Sequence, residues 1–509
     1  MSQEENLDDK EIERFPTFVP GLDVILSGGF LRGGLYMVQG PPGVGKTTLA
    51  NEIVFNRAKE GSRTLYVTMM GENHGRMMAH LHPMRFFDAA FVPDNVSYLS
   101  AYKVLEDEGI EGLSTLLRRE VLARQTTILV LDGMAAIEAK AETRSGLKRL
   151  AYELQVLASS TNCTMFLLTT ASGATTPPEA TMVDGLIELR QREYSLRTER
   201  RAVVHKLRGS RYLEGEHAFN ITREGVTFFP RVEAAFAKPT SRAAPSGTRL
   251  SFGVPSLDAM FGGGLPVATV AAAVGVSGAG KTTLGLHFLS SSSVEQPGLL
   301  FGCYESPERL RFRATTIGID LAGAEQRGDV EVLWYPTGEY ILDELAHRLL
   351  EAIGRRNVKR LVIDGLSVFQ EAALEPERVI RFWSVLSNEL RARGVTMLHT
   401  LEQQELSGPE VRMPLRGIAS LSEVMILLRF VEFQSQLYRL ISLLKVREGT
   451  FDPTLRNFTM GDAGIVVEGP FKGIEGILSG TSHEVKPAAA VLPGTSGEAL
   501  SAGDPGQPA

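Results

Sequence analysis

The chain has 509 residues, 43% of them hydrophobic and 22% charged, and a formal net charge of −7. That length allows about two to three domains, each with a full core. The acidic balance argues against a sequence-independent nucleic-acid binder, which needs a basic face.

The first residues, Met1-Ser2-Gln3-Glu4-Glu5, are acidic and lack the apolar stretch of a signal peptide. No apolar run approaches the ~18 residues of a membrane-spanning helix. Cys163 and Cys303 each fall in an apolar run that reads as a strand, as buried thiols of a reducing compartment. These features predict a cytoplasmic protein without a membrane anchor.

Residues 1–14 read as a flexible N-terminus. In the first domain, 15–232, the strand Leu35–Gln39 runs into a glycine-rich loop at Gly40. A helix continues to about Lys59, where Gly61 stops it. Then follow a strand over Thr64–Thr68, a helix over 111–124 and a strand over Thr127–Asp132. A helix near 144–160 and a strand over Thr164–Thr169 complete the alternation. Strands alternating with helices predict an α/β fold, a mostly parallel sheet with helices on both faces. After Met182 the pattern predicts shorter strands and turns through Pro230, a β-rich extension. There Arg197, Arg200 and Arg201 interleave with Glu193 and Glu199, which reads as a solvated hairpin.

Residues 233–247 read as a linker. In 248–480 the programme repeats: Leu22-Asp23 recurs as Leu257-Asp258, Lys46 as Lys281, Asp132 as Asp364, Arg208 as Arg447 and Phe219 as Phe458. The near-constant spacing predicts two tandem phosphate-loop domains of RecA type. The Ala-, Pro-, Gly- and Ser-rich segment 481–509 reads as a disordered tail.

The repeated loops are Gly40-Pro41-Pro42-Gly43-Val44-Gly45-Lys46-Thr47-Thr48 and Gly275-Val276-Ser277-Gly278-Ala279-Gly280-Lys281-Thr282-Thr283. Both fit G-x-x-x-x-G-K-[ST], in which glycines let backbone N–H groups turn inward around phosphates. Lys46 and Lys281 bring a charge to the β/γ-phosphates, and Thr47 and Thr282 a hydroxyl to Mg²⁺. Asp132 and Asp364 each end an apolar strand and are read as holding the Mg²⁺ shell; an ordinary turn cap is the alternative. The cofactors implied are ATP and Mg²⁺. A base that positions water is expected at the end of the neighbouring strand. The candidates there are Glu305 in the second half and Glu72 in the first. Lys206 with Arg208, and Lys445 with Arg447, share one face of a strand. They read as arginine-finger cations for a neighbouring subunit's γ-phosphate or, alternatively, as charges protecting a sheet edge.

With these elements in place, the chain resembles the KaiC family of circadian clock proteins within the RecA/RadA superfamily. The resemblance covers about 15–480. Its carriers are the paired loops, the Gly-Leu-Asp lead-in, and Lys206-Leu207-Arg208-Gly209-Ser210 followed by Gly215-Glu216-His217-Ala218-Phe219-Asn220-Ile221-Thr222. It implies a double-ring homohexamer with ATP at the subunit interfaces, Ser210 among the nucleotide contacts, and small regulatory or signalling protein partners. It also implies an ATPase first half and an autokinase second half. The family's paired glutamates align with Met70-Gly71 and Tyr304-Glu305. Its adjacent phosphosites align with Ala419-Ser420, which leaves Ser420, with Ser422 as an outside candidate. Two other readings stand beside the hexameric ATPase: a nucleotide-stabilised scaffold with little turnover, and a RecA/RadA-like DNA-associated ATPase.

Overall fold

The computed structural model describes residues 13–69, 74–141, 144–170, 181–194, 196–240, 247–336, 338, 340–403, 417–462, 464–471, 474–475 and 483–484. Glu72, with Met70 and Gly71, lies outside them, as do the expected flexible N-terminus up to residue 12 and most of the tail.

The first half builds β1 (Leu35–Gln39), α1 (Lys46–Lys59), β2 (Thr64–Thr68), β3 (Val96–Ser100), α2 (Tyr102–Arg124), β4 (Ile128–Asp132), α3 (Arg144–Thr161), β5 (Thr164–Thr169), β6 (Gly185–Tyr194), β7 (Arg197–Leu207), β8 (Glu216–Thr222) and β9 (Gly225–Phe229). Among the described residues these strands form one nine-stranded sheet in the order 9-8-7-6-1-5-4-2-3. Strands 6-1-5-4-2-3 pair parallel, and β6 to β9 form an antiparallel meander. The parallel strands read as near-continuous apolar runs because helices cover both faces. Accordingly, one buried cluster lies on each face, around Phe166 and Val130 on one side and Leu129 and Leu167 on the other.

A short helix, α4 (Val232–Ala235), opens the connection to the second half. There follow β10 (Val270–Gly275), α5 (Lys281–Ser290), β11 (Gly298–Gly302), α6 (Pro307–Thr316), β12 (Val330–Trp334), α7 (Leu342–Arg356), β13 (Arg360–Asp364), α8 (Ser367–Ala372), α9 (Arg378–Ala392), β14 (Thr396–Glu402), α10 (Ile418–Leu421), β15 (Val424–Phe433), β16 (Gln436–Val446), β17 (Arg456–Gly461) and β18 (Gly464–Pro470). The second sheet runs 12-11-13-14-10-15-16-17-18, the first sheet's order strand for strand. The β6–β7 pair has a register irregularity between Leu186 and Ile187, and β15–β16 has its equivalent between Met425 and Ile426. The lead-in aspartates repeat as well. Asp23 accepts from the backbone of Thr17 and Phe18, and Asp258 from the Ser251 hydroxyl and the Phe252 N–H.

The helix expected over 111–124 is present, ending at Arg124, and Gly109 (φ 66°) separates it from a short helical stretch that begins at Tyr102. Three expectations are corrected. The strands after Met182 are not shorter: β6 and β7 have 10 and 11 residues, against 5 or 6 in the parallel strands. Cys163 and Cys303 are buried as expected, but each lies one residue outside a strand. The hairpin at 193–201 is solvated only in part: Glu193 and Thr198 are exposed, but Arg201 and Glu199 are both buried and paired at 2.8 Å, and Arg197 bonds to the second half.

The segment expected as a linker starts as docked chain. Val232 is buried in the second half's core, and its N–H donates to Asp343 (3.0 Å). Glu233 pairs with Arg378 (2.7 Å), and the Thr240 hydroxyl donates to Glu389 (2.8 Å).

Candidate functional site: two phosphate loops

Each loop follows a central strand and leads into a long helix. Gly40 and Gly275 are there for room. A Cβ at either would sit 2.3–2.4 Å from a carbonyl of the adjacent strand, that of Leu189 or Leu428. Gly43 and Gly278 are there for conformation: φ is 77° and 76°, and no protein atom lies within 4 Å of an added Cβ. Val44, Val276 and Ala279 are buried and anchor the loops. Pro41, Pro42 and Ser277 face solvent. The helices start after Gly45 (φ 113°) and Gly280 (φ 104°), and neither has a side-chain cap. Their first-turn N–H groups thus lack a side-chain acceptor, at the helix end where an anion is favoured.

The charged parts converge. Lys46 Nζ donates to the carbonyls of Gly40 (2.8 Å) and Pro41 (3.0 Å); Lys281 Nζ donates to those of Gly275 (2.9 Å) and Val276 (2.8 Å). Thr47 Oγ1 donates to Asp132 Oδ2 and Thr282 Oγ1 to Asp364 Oδ2, both at 2.9 Å. The expected metal pairs therefore meet in both halves. Among the described residues no cluster of three or more His, Cys, Asp or Glu could hold a metal alone. A magnesium ion bound with phosphates needs only one or two protein ligands, so a hydroxyl beside a carboxylate at the loop's edge fits it. Burial lowers both lysines' pKa; Asp132 opposes this at Lys46, Glu402 and then Asp364 at Lys281.

The second loop opens on a cavity of about 560 Å³, lined by Lys281, Thr282, Glu305, Arg313, Asp364 and Glu402 among others. Glu305 is half-buried there, its carboxylate 2.8 Å from Arg313 Nη1. Burial raises its pKa and Asp364 adds to the rise, while Arg313 and Arg309 pull it down. A carboxylate poised this way can accept a proton from water at the γ-phosphate.

Several site residues escaped the sequence reading. Thr400 Oγ1 donates to Asp364 Oδ1 (2.9 Å), and the Tyr66 hydroxyl donates to Asp132 Oδ2 (2.8 Å). Tyr304 and Arg313 line the cavity. Glu402 had a legible signal: it ends an apolar strand beside the phosphate-loop strand, as Asp364 ends another.

The basic pairs do not join their own loops. The register aligns Leu207 with Gly185 and Gly185 with Tyr36, near the start of β1, whereas the loop follows the end of β1 at Gln39. Lys206 and Arg208 therefore lie toward the opposite end of the sheet, about 10 Å and about 17 Å along the strand from Gly40. Both donate to the carbonyl of Thr181. Ser210 lies with them, its hydroxyl accepting from Arg14 (2.8 Å). Lys445 and Arg447 repeat the arrangement on the carbonyls of Ala419, Ser422 and Ser420. Ser420 is exposed on α10, beside these cations. Ser422 is fully buried with its hydroxyl on the Ile418 carbonyl, which removes it as an accessible phosphosite.

A family model described as "ATPase: KaiC" matches residues 15–233 and again 250–471. The chain is 25% identical to a circadian clock oscillator protein KaiC of Picosynechococcus over 490 residues, covering 94% of this chain and 93% of that protein. It is 26% identical to the protein of the same name from Thermostichus vulcanus, with 93% of each covered. With KaiC 1 of Synechocystis the identity is 24%, over 94% of this chain and 93% of the relative. With two matches that span both sheets, the chain belongs to the KaiC family of ATPases.

Proposed function

We propose that this ATPase works as a homohexameric ring with Mg·ATP at each subunit interface and with turnover concentrated at the second site. The observation that carries the reading is the placement of Lys206–Arg208 and Lys445–Arg447 at the sheet end opposite their own loops. Such cations serve a phosphate only when a neighbour presents it, so each site is completed by the next subunit. Bound Mg²⁺ would offset the charge on the phosphates. On the chain's side, Thr282 and Asp364 hold the metal shell, Lys281 contacts the phosphates and Glu305 takes the proton of the attacking water.

Ser420 lies in the same basic environment as the trans-acting cations, so the neighbouring subunit's second site would phosphorylate it. Its oxygen would bond the γ-phosphorus, the bond to the β-phosphate bridging oxygen would break, its proton would pass to the base and ADP would leave. For the first half the scaffold reading is favoured by Met70-Gly71, which stand in the sequence where the family's paired glutamates align. There ATP would join subunits with little turnover, and small regulatory proteins would read the assembled ring. The net charge of −7 argues against DNA as the partner.

Turnover and intact mass of the purified protein test this. Glu305→Gln is expected to keep ATP binding and lose about 10²–10³-fold in turnover. A one-phosphate mass gain that vanishes in Ser420→Ala supports the autokinase; undiminished turnover in Glu305→Gln removes the assigned base.

A further inference from the structure

The β6–β7 hairpin of the first half ends against the second half's catalytic elements. Arg197 opens β7 at the hairpin tip, paired with Tyr194. Its Nη1 donates to the carbonyl of Glu371 (3.1 Å) and its Nη2 to that of Tyr340 (2.8 Å). Glu371 is in the last turn of α8, the helix that begins three residues after Asp364. The carbonyls of a helix's last turn lack intrahelical partners and carry its negative end, so a guanidinium is well matched to them.

From Glu371 the contacts lead directly to the cavity. Its Oε1 accepts from the Tyr304 hydroxyl (3.0 Å), which also bonds Ser367 (2.6 Å) in the first turn of α8. One phenol thus ties both ends of the helix. The Tyr304 ring lies over Gly365, so closely that a Cβ there would sit 2.4 Å from Cε2. Gly365 follows the metal-site Asp364, and Tyr304 precedes Glu305. Tyr340 closes the other side. It meets Tyr335 edge-on (5.9 Å), Tyr335 lies against Phe301 of β11 (5.3 Å), and Phe301 stacks on Phe369 of α8 (5.8 Å). Arg197 therefore bridges two segments that flank β11, the strand whose end carries Tyr304 and Glu305.

The second half has no such arginine. Gln436 takes the equivalent tip position, paired with Phe433, and its side-chain oxygen accepts from Tyr438 of its own hairpin. The Arg197 contact thus belongs to the junction between halves and is not a repeated hairpin feature.

We propose that Arg197 is a positioning residue of the second nucleotide site, supplied by the first half. By clamping the α8 end and the Tyr340 segment it fixes Tyr304, and Tyr304 fixes the direction in which Glu305 enters the cavity. This rests on the reading of the second site as the one that turns over ATP. A displacement of a base by about 1 Å can cost on the order of 10²-fold in rate, so the clamp is expected to act on kcat and to leave KM alone.

Steady-state turnover of the full-length protein tests the proposal. Arg197→Ala should lower kcat about tenfold or more at unchanged KM for ATP. Tyr304→Phe, which keeps the ring and loses both hydroxyl bonds, should do the same. The double variant should fall no further than the worse single one, because the residues act in series. Arg197→Lys, which keeps the charge without the two-pronged geometry, should recover only part. An unchanged kcat in Arg197→Ala overturns the proposal, and so do losses that multiply in the double variant. If Arg197→Ala does not assemble, Arg197→Lys and Tyr304→Phe decide: wild-type kcat in both overturns it. Wild-type turnover that survives Lys281→Ala overturns the reading of the site, and this inference with it.

Discussion

The two halves share a sheet order, an equivalent register irregularity and a 2.9 Å Thr–Asp pair at each loop, yet they hold these pairs differently. Asp132 is anchored from β2 by Tyr66, and Asp364 from β14 by Thr400, on its opposite flank. The oxygen that meets the threonine keeps its place while the aspartate's support changes sides, as expected if the pair itself is what the site needs. Charge also differs. The second cavity adds Glu305 and Glu402, whereas β5 leads into Thr170 at the place of Glu402. Among the described residues, the same framework thus carries the loop motif twice with different groups around it.

A further pair of positions reverses the chemistry of one hydrogen bond. Glu52 of α1 accepts the Val226 N–H (2.6 Å), and His287 of α5 accepts the Ile465 N–H (2.9 Å). Each pins the last hairpin of its half to the phosphate-loop helix. In the second half that hairpin brings Met460, Gly461 and Asp462 to the cavity.

The largest expected difference between the halves lies in the lysines. Lys281→Ala should lower turnover about 10³-fold, as loss of a charge aimed at the reacting phosphates does. Lys46→Ala should instead disperse the ring on sizing and lower turnover per assembled ring only a few-fold. Equal losses of turnover in the two variants would break the comparison.

Next comes pH. Burial raises the Glu52 pKa from 4.5 to about 7. Its proton-linked stabilisation is complete below the unfolded value and is lost as pH rises through about 7. Burial lowers His287 from 6.5, so its contribution is complete above that value and is lost as pH falls toward the folded pKa. Chemical denaturation between about pH 5 and pH 8 should show opposite trends at the two positions, on the order of 3 kcal/mol for Glu52. Glu52→Gln should gain on wild type as pH rises, and His287→Gln as pH falls. Parallel slopes would mean that the two positions are not chemically reversed.

The smallest effect concerns Glu402. Glu402→Thr gives the second site the first site's residue and removes a negative charge near the phosphates. ATP affinity should rise by about fivefold, on the order of 1 kcal/mol; weaker binding would show that Glu402 acts by supporting Lys281.

Much of this was legible in the sequence, and the reasons are local. The loops, the strands ending in Asp132 and Asp364, and the duplication are each written in contiguous residues. The β6–β7 hairpin was misread because alternating Arg and Glu look the same on a solvated ribbon as in a buried ion-paired contact. Only tertiary structure sets Arg201 against Glu199 and Arg197 against the second half. Thr400 and Tyr66 were invisible because an apolar parallel strand does not announce which of its polar residues reaches a neighbour's carboxylate. Val232 was assigned to the end of the first domain, because its packing partners come more than a hundred residues later.

The central claim is that each second site is built from two subunits, with Glu305 on one and Arg447 on the next. Turnover in mixtures of Glu305→Gln and Arg447→Ala subunits tests it most directly. Each variant alone should be nearly inactive. Co-assembled at equal amounts, random mixing places an intact Glu305 face against an intact Arg447 face at about a quarter of the interfaces, so turnover should return toward a quarter of wild type. Mixed rings that stay at the level of the two variants measured apart would place both residues in one subunit's site and contradict the account.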